Sequence, residues 1–144
     1  NIATLSGATQ RYQLVIGLFD TATAANQVDA VSFVYDEGGV STGSAASPNW
    51  QIRTASNSAR SWTTTTTAVA AATWYKLRVE VNAAGTSATF YINGANVGTI
   101  ATNIPTGTTR ALGFGHLMIK SAGTTARTMD IDYMKAEQTF TTSR

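Results

Sequence analysis

Apolar Tyr75, Leu77, Val79 and Val81 alternate with polar Lys76, Arg78 and Glu80, the period-two pattern of a strand buried on one face. A second alternating run places Ala88, Phe90 and Ile92 on one side. A loop over Asn82–Gly85 would put Val81 beside Thr86 and pair Val79 with Ala88, Leu77 with Phe90 and Tyr75 with Ile92, while Lys76 and Arg78 meet Tyr91 and Thr89 on the other face. Asn93-Gly94 is then a type I′ turn signal, since both central residues of that turn need positive φ. It sets Phe90 against Val97 and starts a third strand that runs to Ile100.

The rest of the chain shows the same style. Arg11–Phe19 reads as a strand with Tyr12, Leu14 and Ile16 on one face. Ala30–Tyr35 is a nearly continuous apolar run suited to a central strand. Asn49–Ala55 carries Trp50, Ile52 and Thr54 on its inward face, and Asn57-Ser58 turns the chain into Arg60–Thr67. There Trp62 shares a face with Arg60, Thr64 and Thr66 and is expected to be exposed. Arg110–Lys120 is apolar on both faces, with Leu112, Phe114 and Met118 on one and Leu117 and Ile119 on the other. Arg127–Lys135 returns with Met129, Ile131 and Tyr133 inward. Thr21–Gln27 is a loop with a weak helical alternative. Asp36–Pro48 is the longest turn-rich insertion, a place where sites are often carried. Many short strands bounded by turns predict an all-β antiparallel sandwich or jelly roll.

Composition narrows the function classes. The chain of 144 residues fits one domain, taken as residues 1–144 and expected to be the C-terminal part of a longer chain. Its ten Lys and Arg residues are scattered singly and form no basic stripe, which disfavours nucleic acid as a partner. No apolar run reaches the roughly 20 residues of a membrane helix. Without cysteine there is no disulfide framework, thiolate nucleophile or Cys metal site.

The runs WYKLRVEVN and TSATFYINGANVGTI and the closing DIDYMKAEQ resemble the concanavalin A-like, laminin-G-like jelly rolls, over about Arg11–Glu137. The phrase IKSAGTTARTMDIDYM, in a Thr/Ala/Gly-rich chain of low charge, is similar to copies found in bacteriophage tail fibres. That resemblance implies a virion tail-fibre location outside the cell, a homotrimer, and host adhesion through receptor binding to bacterial cell-surface polysaccharide or lipopolysaccharide. Hydrolysis is the activity of a minority of such domains, so a glycan-degrading tailspike-type enzyme domain is one alternative and a purely structural virion module is another. Family members are longer, which implies a first strand upstream of this chain or supplied by another subunit.

Trp62 is the sharpest ligand-binding candidate, with Arg60, Asn57 and the loop acids Asp36 and Glu37, because sugar rings stack on aromatic faces while charged and amide groups bind their hydroxyls. Catalysis is not expected. Asp130 and Asp132, at i and i+2 and about 7 Å apart by strand geometry, lack the third acid of the glycosidase pattern, whose place is taken by Thr128 or Met134. A retaining pair also needs a separation of about 5–5.5 Å. His116 is the sole histidine, which leaves no two-His metal site, and Asp20, Asp29, Asp36 and Glu37 show no calcium-loop spacing. No cofactor and no metal is expected. An oligomer interface is expected at Leu112, Phe114, Met118 and Met134, since only one face of a doubly apolar strand can enter its own core.

Overall fold

The computed structural model describes residues 1–22, 26–40 and 45–138. Among them the chain is all-β, with eight strands in two antiparallel sheets. The larger sheet joins β1 (Tyr12–Phe19), β2 (Ala30–Asp36), β3 (Ser47–Ser56), β4 (Ala59–Ala68) and β8 (Gly113–Lys120) in the order β4-β3-β2-β1-β8. The smaller holds β5 (Leu77–Val81), β6 (Ala88–Ile92) and β7 (Ala95–Ile100). Each sheet is a meander of neighbouring strands, and only β8 returns from afar. The architecture is a β-sandwich, as the patterning predicts.

Between the sheets lie Tyr12, Leu14, Phe33, Tyr35, Trp50 and Ile52 from the large sheet, against Ala88, Phe90, Ile92 and Ile100 from the small one. These are the alternate residues of each run, so period-two burial accounts for the core directly. Rings bind the layers together. Phe33 meets Phe90 edge-on, with centroids 5.3 Å apart at 89°, and Trp50 meets Tyr75 at 5.6 Å. Tyr75 precedes β5 rather than opening it. Its hydroxyl accepts from the Ala70 amide and donates to the Ala68 carbonyl.

The central hairpin keeps its expected faces but not its register. Leu77 lies opposite Ile92, Val79 opposite Phe90 and Val81 opposite Ala88, two residues from the expected pairing. The cause is the Asn82 side chain, which lengthens the loop: its Oδ1 accepts the Thr86 and Ser87 amides at 2.8 and 3.1 Å, and the Asn82 amide donates to the Ser87 carbonyl. The Asn93-Gly94 turn forms with both φ values positive, 52° and 88°. Ile92 then pairs with Ala95 and Tyr91 with Asn96, before a bulge brings Gly98, not Val97, opposite Phe90. Gly98 suits the bulge because its φ is 152° and a Cβ there would stand 2.7 Å from the Ile52 Cδ1.

Two expectations near the C-terminus are corrected. β8 pairs with β1 through Leu14 opposite Met118 and Val15 opposite Leu117. This parity sends Met118 toward the inter-sheet core and Leu117 to a second apolar cluster on the outer face. The anticipated sides of β8 are therefore reversed. Arg127–Lys135 is not a strand: one bridge joins Ile2 to Met129, and Ile131 and Tyr133 stand 38% and 62% exposed.

Candidate functional site

The outer face of the large sheet holds the unusual chemistry. Its alternate residues, including Ser32, Asp36, Gln51 and Arg53, are buried together with Val15 and Val34. Arg53 projects from the middle of β3, wholly inaccessible to solvent. Its Nε donates to the Ser32 Oγ at 3.3 Å, one Nη donates to the Gln27 Oε1, and its guanidinium lies 5.1 Å from the Trp62 ring centroid. Burial, and then the charge of Arg60, push its pKa down to about 9, while Asp20 and Asp36 oppose the shift. Stacking on an indole suits a poorly hydrated planar cation.

Trp62 is half-buried rather than exposed, because one side covers Arg53 and its edge packs on the outer apolar cluster. Arg60, two residues earlier on the same face, donates through its two Nη groups to the carbonyls of Ser58 and Gln27. Asn57 and Ser58 form the β3–β4 turn at φ of 53° and 69°. Asp29 secures that turn: its Oδ1 accepts the Asn57 amide at 2.9 Å and also pairs with Arg110. Two donors sealed beneath this surface, Trp62 Nε1 and Arg60 Nε, have no acceptor among the described residues.

Asn57, Arg60 and Trp62 are thus gathered on one hairpin, but Asp36 and Glu37 are not. Ala30, at one end of β2, pairs with Ala55 near the turn, whereas Asp36, at the other, pairs with Ser47. Six strand residues separate the two ends by about 20 Å. Asp36 is fully buried and accepts the Val40 amide at 2.7 Å, and Glu37 accepts the Tyr35 hydroxyl at 2.8 Å. Both acids hold their own loop, of which residues 41–44 lie outside the described residues. The part of the Thr21–Gln27 loop at 23–25 also lies outside them. The buried Arg53 was not anticipated, because a lone Arg in an alternating strand reads as solvated.

Elsewhere a shallow cleft is lined by Phe19, Asp20, Thr21, Gly113, Phe114 and His116. His116 is exposed, opposite Ile16 on the inner side of the large sheet. Asp130 and Asp132 are exposed on the C-terminal segment, and no group of three or more His, Asp or Glu among the described residues could hold a metal ion.

The two antiparallel sheets, enclosing an aromatic core and bearing a polar outer layer, define a β-sandwich domain. More particularly, residues 1–132 match the family model described as SO2946-like, C-terminal domain, and the chain belongs to that family. No curated protein and no solved structure matches the chain.

Proposed function

We propose that this sandwich is a non-enzymatic recognition module of a bacteriophage tail fibre that binds carbohydrate of the bacterial surface through the outer side of the β3–β4 hairpin. The observation that carries the reading is the half-buried Trp62 indole, gathered with Arg60 and Asn57 on one hairpin. The exposed part of that indole offers a sugar ring an aromatic surface, and the polar side chains of Arg60 and Asn57 stand on the same hairpin to meet its hydroxyls. The tail-fibre setting rests on the resemblance of the chain's hairpin and closing motifs. The family's description as a C-terminal domain supports a module carried at the end of a longer chain.

Three copies around one axis are part of this proposal. Phe114 and Met134, 42% and 45% exposed, supply apolar surface for such contacts, whereas Met118 packs inward. Leu112 is partly buried just before β8.

A glycan array tests the binding, with Trp62→Ala as the decisive variant because it removes the aromatic surface on which the sugar ring would lie. A loss of roughly tenfold or more in affinity is expected for it, and none for Tyr91→Ala on the opposite sheet. Unchanged binding by Trp62→Ala would refute the site. Release of reducing ends from host polysaccharide, abolished by Asp130→Asn, would replace recognition with catalysis. A monomeric mass by light scattering would remove the trimer.

A further inference from the structure

Two hairpins of this protein close on two-residue turns of the same kind and fill them differently. At Asn93-Gly94, between the paired Ile92 and Ala95, both φ values are positive, 52° and 88°. At Asn57-Ser58, between the paired Ser56 and Ala59, they are 53° and 69°. Glycine enters this region freely, whereas a residue with a Cβ is strained there. The first turn thus has at its second position the residue that the geometry prefers, and the other holds a serine against that preference. The Ser58 amide donates to the Val28 carbonyl at 2.9 Å, and the Ser58 carbonyl accepts from Arg60 Nη1, also at 2.9 Å. Both bonds belong to the backbone and would serve a glycine equally. The Ser58 side chain is exposed, and its hydroxyl bonds to nothing among the described residues. The fold therefore makes no use of what the serine adds, and strain kept without a structural return points to function.

The surface around that hydroxyl is rich in donors and carries no acid of its own. From Ser47 to Ala68 the β3–β4 hairpin contains Arg53 and Arg60 and not one Asp or Glu. Arg60 spends one hydrogen of each Nη on the carbonyls of Ser58 and Gln27, and a guanidinium has two on each. No ion pair joins Arg60 to an acid among the described residues. Arg53, beneath the indole, keeps its charge at neutral pH, since its pKa falls only to about 9. Asp29, which accepts the Asn57 amide, is already paired with Arg110, and Asp20 follows β1, three strands away from β4 in the sheet.

We propose, on the reading of this hairpin as the carbohydrate site, that its ligand is an acidic saccharide whose anionic oxygens are held by Arg60 and the Ser58 hydroxyl while a sugar ring lies on Trp62. A carboxylate and a phosphate share the chemistry required, oxygens that accept charge-assisted bonds from a guanidinium and a hydroxyl together. A neutral sugar leaves the charge of Arg60 without a counterpart, so charge sets which glycans are accepted. Ser58 then earns its place at the turn as a contact to the ligand.

An array of matched oligosaccharides, neutral, uronic-acid-bearing and phosphorylated, tests this on the whole chain. At least one acidic set should bind roughly tenfold or more tighter than its neutral counterpart, and the margin should shrink as salt rises from about 0.05 M to about 0.5 M. The preferred acidic set separates a carboxylate source from a phosphate one. Arg60→Gln should erase the margin. Because Arg60 also braces the turn, Ser58→Gly gives a test that does not depend on folding: affinity for the acidic glycan should fall by roughly threefold or more, while the melting temperature holds or rises because glycine relieves the positive φ. A purely structural serine would move the melting temperature and leave the affinity alone, which would overturn the role given to its hydroxyl. Equal binding of neutral and acidic glycans, lost in Trp62→Ala, would overturn the acidic ligand and leave the recognition reading standing. Binding to no glycan would overturn both.

Discussion

The edge-on contact between Phe33 and Phe90 should make the two sheets energetically dependent on each other. Both side chains are buried to within 1% of complete exclusion, and their rings meet at 5.3 Å and 89°. Phe→Ala in a core costs about 3–5 kcal/mol, a large part of the 5–15 kcal/mol that holds a typical domain. Phe→Leu keeps much of the volume, so we expect about 1–2 kcal/mol for each single change. The edge-to-face geometry adds about 0.5–1.5 kcal/mol beyond burial. Phe33→Leu and Phe90→Leu together should therefore cost less than the sum of the singles by about 0.5–1.5 kcal/mol. Urea unfolding at constant m provides the four free energies. Leu77→Ala is the reference: its partial exposure predicts about 1–2 kcal/mol, below the about 2–5 kcal/mol of a fully buried leucine. Additivity within about 0.3 kcal/mol would refute the claim that these rings couple the layers.

Asn82→Ala should destabilise the β5–β6 hairpin by about 1–2 kcal/mol, since it strips the acceptor from two loop amides. Asn82→Asp keeps the acceptor and should recover most of the loss, and thermal melts of the pair would check this. Alkaline unfolding tests the buried phenols. Burial raises Tyr12 to about 12 and raises Tyr35 further, where the bond to Glu37 adds to the shift. Folded values above the unfolded one of about 10 mean that the stabilisation is complete below pH 10 and is lost as pH rises through the folded values. Stability should be level from pH 7 to 9 and fall from about pH 10 to 12, with a smaller fall in Tyr35→Phe. A Tyr35→Phe profile identical to that of the parent would show that Tyr35 is not protected.

Alternation alone located nearly every strand, because a sheet with one face in a core leaves a period-two imprint on Leu77 to Val81 or Trp50 to Thr54. What it left out depended on pairings. The β5–β6 register turned on how the Asn82 side chain folds its loop, and a shift of two preserves both faces, so the pattern could not detect it. In β8 both faces are apolar, and the side that enters the core is decided by the partner: Leu14 draws Met118 inward. The candidate site was legible where its residues share a hairpin, as Arg60 and Trp62 do. It failed for Asp36 and Glu37 because nearness to a loop in sequence says nothing about which end of a sheet that loop serves. Arg53 left no mark, since a strand residue buried under loops looks the same in sequence as one in water.

The late arrival of β8 has a consequence for how the protein is made. Strands β1 to β4 follow one another along the sheet and can pair as they leave the ribosome, as can β5 to β7. The outer edge of β1, however, waits for Gly113–Lys120, about a hundred residues later. During synthesis that edge, with Leu14, Val15 and Ile16 along it, is open to any passing strand. Closing it is a long-range step, and such steps slow folding. Yield in cells should therefore depend on how quickly translation runs through residues 82–120, and synonymous codons that slow this stretch should divert nascent chains into aggregates without altering the finished protein.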